Sequence, residues 1–201
     1  MNRFYLLSLM LLVAIAVPFA SADTINLTSN NLHISGSIGT VGLTQQGGGV
    51  MVTLKANSGY SFKLQGGDIL FNTNASLTGA SISQVMINGV AYSGNFAFGG
   101  PATRAGSTFT YDFSKLNPHG MTSAGTISFF ISGVTVKQLE LANKDGAMWG
   151  VHFCVGGGTK CGANTGFATG HLAAVPEPGT LSLLGTGIVG LAGLFRRRFL
   201  S

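Results

Sequence analysis

Val85-Met86-Ile87-Asn88-Gly89-Val90-Ala91-Tyr92 is the segment that decides the fold class. Apolar, β-branched residues flank the central Asn88-Gly89 pair, and Asn-Gly favours a type I′ turn whose twist matches that of two paired strands. The segment therefore predicts a β-hairpin. Phe96 and Phe98 are predicted to continue its second strand.

Short runs of alternating or β-branched residues recur on both sides of this hairpin, separated by Gly or Asn. Such runs place the apolar side chains of a strand on one face. No helical periodicity of useful length occurs between residues 23 and 174. About ten closely spaced strands predict an all-β fold, a two-layer antiparallel β-sandwich similar to a jelly roll. The further predicted strands are 32–38, 50–54, 60–64, 68–71, 108–113, 126–131, 134–141 and 147–155.

The net charge of +5 comes largely from the two ends of the chain. Arg3 and Arg196–Arg198 lie in the terminal segments, and residues 23–174 carry seven Lys/Arg against five Asp/Glu, a net charge of +2. These charges are scattered along the sequence. Nucleic-acid binding needs a concentrated basic patch, so the charge pattern argues against that class.

The N-terminus has the three parts of a secretory signal peptide. Arg3 makes it positive, Phe4–Val17 form an apolar core of about 14 residues, and Ala20 and Ala22 give the small-x-small pattern of a cleavage site. Residues 1–22 are therefore predicted as a signal peptide cut after Ala22, with an uncleaved membrane anchor as the alternative. Residues 23–170 remain as one β-sandwich domain, long enough to bury a core.

The C-terminus also has three parts. Val175-Pro176-Glu177-Pro178 precede the apolar run Thr180–Phe195, and Arg196-Arg197-Arg198 follow it. As a helix the run reaches roughly 24 Å, and bilayer thinning can absorb its mismatch with the ~30 Å hydrocarbon core. Because clustered Arg stays cytoplasmic, we predict a linker at 171–179, a transmembrane helix at 180–195 and a cytoplasmic tail at 196–201. A buried core helix, the alternative, would show a polar face.

These three parts in this order resemble the PEP-CTERM sorting signal. Val175, Pro176, Glu177 and Pro178 match its signature, Thr180–Phe195 its span, and Arg196, Arg197 and Arg198 its basic end. The resemblance implies recognition by exosortase, a membrane-embedded cysteine transpeptidase, in bacteria that make exopolysaccharide. Glu177, held extended between two prolines, is the acidic side chain the signal would present; a plain stiff linker is the alternative. Segments 68–72, 127–133, 149–153 and 166–170 also look like short surface proteins with such tails.

Cys154 and Cys161 are the only cysteines. Two close cysteines in an exported protein predict a disulfide. A metal pair or a catalytic thiol is the alternative. Zinc, however, prefers four N/S ligands, and only His152 lies near in sequence.

No catalytic residue, metal site or cofactor is predicted. His33, His119, His152 and His171 are dispersed and form no HxH or HExxH pattern. The five carboxylates of residues 23–174 are far apart in sequence, although two could meet in the fold as a glycosidase pair. The aromatic residues Tyr60, Tyr92, Tyr111 and Trp149 could stack on sugars, but core packing is the more frequent use.

Together these features predict an exported, non-enzymatic surface or extracellular-matrix protein with three partners: exosortase, the membrane and exopolysaccharide. It would be anchored transiently in the inner membrane and then reach the outer envelope or the exterior. The alternatives are a secreted polysaccharide-acting hydrolase and a permanently membrane-anchored envelope protein.

Overall fold

The computed structural model of the protein describes residues 22–118 and 120–172. The predicted signal peptide apart from Ala22, the sorting motif, the transmembrane helix and the basic tail lie outside these residues, as does His119. The last strand ends at Leu172, so it occupies the first two positions of the range predicted as linker.

Fifteen strands, one α-helical turn and one 3-10 turn make up the described residues. The strands are β1 (Ala22–Asn30), β2 (Gly39–Gln46), β3 (Gly49–Ala56), β4 (Tyr60–Lys63), β5 (Asp68–Phe71), β6 (Ile82–Ile87), β7 (Val90–Ala91), β8 (Ala97–Gly99), β9 (Ala102–Arg104), β10 (Ser107–Phe109), β11 (Tyr111–Ser114), β12 (Ser123–Ala124), β13 (Thr126–Ser132), β14 (Trp149–Val155) and β15 (Thr165–Leu172). The 3-10 turn is Gly79–Ser81, and helix α1 is Val136–Leu139.

Thirteen of the described strands form one hydrogen-bonded sheet. Its main path runs β7-β6-β13-β3-β2-β1-β15-β14-β5-β11-β8, and β4 joins it at β14 and carries β12. Strands β9 and β10 pair only with each other, as a two-stranded ribbon. The paired strands with a defined register are antiparallel, for example β3 with β2 and with β13.

The sheet curls until its two halves enclose one apolar core. Phe113 on β11 lies near one end of the path and Phe129 on β13 near the other, yet their ring centroids are 4.7 Å apart. Both side chains are fully buried, as are Trp149 and Phe71, which stack at 4.9 Å. The all-β, antiparallel prediction is confirmed as one curled sheet. Its division into two jelly-roll layers stays a prediction.

Strands β1 and β15 are neighbours that close the middle of this sheet. Asn31 N donates to Phe167 O at 3.2 Å, and a Cβ atom on Gly170 would lie 2.6 Å from Asn26 O. The β1 partner therefore moves backward along the chain as β15 moves forward, so the two strands are antiparallel. The start of β1 consequently lies beside the end of β15.

The central hairpin prediction is confirmed in part. Met86 pairs with Ala91 across the turn, and Asn88 and Gly89 both have positive φ, 50° and 80°, as a type I′ turn requires. The continuation to Phe96 and Phe98 is wrong, because β7 ends at Ala91 and β8 pairs with β11. The chain turns between them, where the Tyr92 hydroxyl donates to Asn95 O at 2.8 Å.

Three other strand predictions need correction. Residues 134–141 contain α1, which starts where the Thr135 and Gln138 side chains cap each other's backbone N–H groups. Residues 32–38 form turns, because the Asn30 side chain binds the backbone of Leu32 and Ile34. Residues 108–113 break at Thr110, whose N–H bonds the Asn72 side chain instead of a strand. Strands β1 and β2, which flank the second of these segments, were not predicted.

Candidate functional site

A cluster of five polar side chains lies on the outer face of β5, β11 and β14. Its members are Asp68, Arg104, Asp112, Ser114 and His152. Strand alternation points them away from the main core, because their sequence neighbours Ile69, Phe113 and Val151 face inward. We call this group the outer-face cluster.

The ribbon β9–β10 covers this face. Its Phe109 packs with Leu70 and Phe167 in a second, smaller core. Arg104 of the ribbon donates from Nε to Asp68 Oδ2 at 2.5 Å, and Asp68 is only 8% exposed. The ribbon is therefore held to the sheet by apolar contacts and by one ion pair.

The two carboxyl groups of the outer-face cluster differ in environment. Asp112 lies opposite Leu70, so Asp68 is its diagonal cross-strand neighbour, at a Cβ separation of roughly 7 Å. Burial raises the pKa of Asp112 and the nearby Asp68 charge raises it further, while a hydrogen bond from Ser114 at 3.3 Å opposes both effects. One carboxylate is thus held ionised by Arg104, and the other is biased toward its protonated form.

His152 lies on the same face with a ring biased toward neutrality. Burial lowers its pKa, and the neighbouring charge of Lys63 lowers it further. Among the described residues, His152 Nδ1 and Asp112 Oδ1 are buried atoms without a hydrogen-bond partner. The sequence did not indicate that these residues would meet, because their separation along the chain hides the register that joins them.

An open groove of about 360 Å³ lies beside the ribbon. Its walls carry amide and hydroxyl side chains together with small apolar surfaces. Asn72, the deepest of the amides, binds Ala147 O at 3.0 Å and accepts from Thr110 N at 3.1 Å, so it holds the groove's walls together. The lining residues are Asn72, Thr73, Asn74, Pro101, Thr108, Phe109, Thr110, Leu141, Ala142 and Asn143.

The predicted disulfide between Cys154 and Cys161 is present. Its loop is bound to neighbouring strands at several points. Gly156 N donates to Gly59 O at 2.7 Å, and Thr159 O accepts from Thr122 N at 2.8 Å. The disulfide loop therefore ties β14 to β4 and β12.

The aromatic residues considered for sugar stacking pack within the domain. Trp149 is fully buried and donates from Nε1 to Leu139 O at 2.9 Å. Tyr111 stacks on Phe98 at 5.3 Å and donates its hydroxyl to Ala75 O. The side chains of Tyr60 and Tyr92 are half-buried. These four side chains do not form one exposed platform.

The remaining candidates are dispersed. His33 occupies a turn with φ of 55°, and His171 lies at the end of β15. Within the described ranges, no group of three or more His, Cys, Asp or Glu side chains is arranged to hold a metal ion. Likewise, no helix in these ranges is long and apolar enough to cross a membrane.

Comparison with known proteins identifies the C-terminal segment. A family model described as the PEP-CTERM protein-sorting motif matches residues 174–198. No curated protein and no solved structure matches the chain. The matched segment contains Val175–Pro178 and Arg196–Arg198. It implies that the protein is exported, anchored transiently in the membrane and processed by exosortase.

Proposed function

We propose that this protein, which carries a PEP-CTERM sorting motif, is a non-enzymatic component of the cell surface or extracellular matrix that associates with exopolysaccharide. The matched motif at residues 174–198 carries the proposal, because it implies export and sorting. The disulfide suits an oxidising compartment. A domain of closely packed strands is an appropriate passenger for such a signal.

The Pro-Glu-Pro core gives the sorting enzyme a rigid element to recognise. Pro176 and Pro178 fix their own φ angles and keep the residue before each of them extended. Glu177 therefore presents one charge on a stiff segment, immediately before the apolar run. Its carboxylate is the group most suited to recognition.

Replacement of the motif carboxylate tests the sorting step. Cells expressing Glu177→Gln should retain the full-length protein in the inner membrane, whereas the wild-type protein should lose its tail and move outward. His171→Gln alters an exposed side chain just ahead of the motif and serves as the matched control. Wild-type distribution of Glu177→Gln would remove the carboxylate from the recognition model.

The groove beside the ribbon supports association with a saccharide. Amide and hydroxyl groups next to small apolar surfaces suit the mixed polarity of a sugar ring, and about 360 Å³ accommodates short saccharide segments. Retention of the purified protein on the cell's own polysaccharide tests this. Ala142→Trp, on the groove wall, should abolish retention, and Ala163→Trp, exposed elsewhere, should not. Retention equal to that of an unrelated β protein would refute the association.

A secreted polysaccharide-acting hydrolase is the second candidate, favoured by one observation. Asp68 and Asp112 lie at roughly the separation of a glycosidase carboxylate pair, in environments that favour opposite protonation states. Hydrolysis of the cell's polysaccharide that disappears in Asp112→Asn would establish this candidate. Permanent membrane anchoring predicts an uncut C-terminus, which the mass of the C-terminal peptide from cells would reveal.

A further inference from the structure

Asp23 and Glu140 form a carboxyl pair at one end of the main core. Asp23 lies opposite Leu43 in the β1–β2 register, and it begins the row that Ile25 and Leu27 continue inward. Those three apolar side chains are fully buried. Because directly opposed residues share a face of the sheet, the Asp23 carboxyl occupies a position on the core side of β1.

Helix α1 brings Glu140 to this position. The Gln45 side chain of β2 accepts from Val136 N at 3.0 Å, and Trp149 donates to Leu139 O at 2.9 Å, so both ends of the helical turn are fixed. Glu140 follows directly, and its side chain hydrogen-bonds that of Asp23. Glu140 Oε1 is nevertheless a buried atom without a hydrogen-bond partner among the described residues.

The surroundings offer this pair little positive charge. Lys137, on α1, is the cation that acts on Glu140. Strand β2, which packs against α1, has no titratable side chain between Gly39 and Gln46, and His171 on β15 lies against Gly146. Burial, then the hydrogen bond and charge of Asp23, raise the pKa of Glu140 to about 7. At neutral pH the pair therefore shares a proton for much of the time.

We propose that removal of the signal peptide supplies the cation that this pair lacks. Hydrolysis of the Ala22–Asp23 peptide bond consumes one water and leaves a carboxylate on Ala22 and an ammonium group on Asp23. The new ammonium belongs to the same residue as the first carboxylate of the pair. The inference rests on the proposed function only in that it requires export with cleavage after Ala22.

The cut changes how the domain responds to pH. Before it, the folded chain holds the Glu140 proton more tightly than the unfolded chain, so stability falls as the pH rises from 4.5 to about 7. After it, an α-ammonium group with an ordinary pKa of about 8 stabilises both carboxylates without a proton. The processed domain thus keeps its stability at neutral pH, where the unprocessed domain loses part of it.

Three full-length chains purified in one detergent test the proposal. The first begins at Asp23 with a free amino group, the second begins at Asp23 with an acetylated amino group, and the third begins at Ser21. Thermal unfolding is followed from pH 5 to pH 9, with Glu140→Gln introduced into each chain. Acetylation removes only the charge, so it separates the effect of the ammonium from that of added residues.

We expect the acetylated and Ser21 chains to lose thermal stability around neutral pH. The free-amine chain should show this loss about 1 pH unit or more lower, or not at all between pH 5 and the titration of its own amine. Glu140→Gln should make the three profiles alike. Superimposable profiles in the Glu140 background, or a difference that persists in Glu140→Gln, would overturn the proposal. A mature N-terminus other than Asp23 in exported protein would do so too, while leaving exosortase sorting intact.

Discussion

Reduction of the Cys154–Cys161 disulfide should destabilise the domain by a predictable amount. The bond closes a loop of about eight residues, for which loop-closure entropy gives about 2.5 kcal/mol. This corresponds to about 70-fold in the ratio of folded to unfolded protein. For a domain of this size, the melting temperature should fall by roughly 5 to 10 °C.

The structure indicates why the effect should not be larger. Gly156, Thr159 and Cys161 make backbone hydrogen bonds to neighbouring strands that do not depend on the sulfur–sulfur bond. Ser123 Oγ adds a contact to Gly158 O at 3.1 Å. The loop should therefore keep its conformation after reduction, so that the lost stability comes from a less constrained unfolded state.

Thermal and urea unfolding of the wild-type chain, with and without reductant, measures this difference in one sequence. The double variant Cys154→Ala/Cys161→Ser is the control and should not respond to reductant. A shift below about 2 °C would contradict the entropy argument. A collapse of the near-UV signal on reduction would show that the loop is not held by its hydrogen bonds.

Three further changes follow from specific contacts. Asn72→Ala should cost about 3 kcal/mol in urea unfolding, because it leaves buried carbonyl groups and Thr110 N without their partner. Gly49→Ala should destabilise by about 1–3 kcal/mol, since its Cβ would collide with Ile131 O, whereas Gly99→Ala has open space and should stay within about 0.5 kcal/mol. Asp112→Asn should flatten the loss of thermal stability as the pH rises above 3.8, because the raised pKa of Asp112 means that the folded chain holds this proton more tightly. An unchanged pH profile in Asp112→Asn would show that the carboxyl is not buried as described.

Local chemistry made part of the fold predictable. The turn at Asn88-Gly89 follows from two residues that tolerate positive φ, and β13 follows from a run of alternating apolar residues. In contrast, α1 has only four residues, too few for a helical period. Its apolar Val136 and Leu139 read equally well as strand residues, and the capping by Thr135 and Gln138 was the available signal.

The candidate sites were less predictable because register creates them. Asp68 and Asp112 are adjacent only because β5 and β11 pair, and Asp23 meets Glu140 only because α1 sits over β2. Nothing local to those residues encodes the pairing. The sorting motif and the cysteine pair are different, since each is complete within one short segment. Recognition there needs order along the chain rather than contacts across the fold.

The position of β15 in the sheet has a consequence for biogenesis. This final strand lies seventh in a path of eleven, bonded on one side to the first strand of the domain. A polypeptide that crosses a membrane from its N-terminus must leave β1 with an unsatisfied edge until the last strand emerges. The domain thus cannot close during most of its passage, and it completes its core only when the translocation channel reaches the hydrophobic tail.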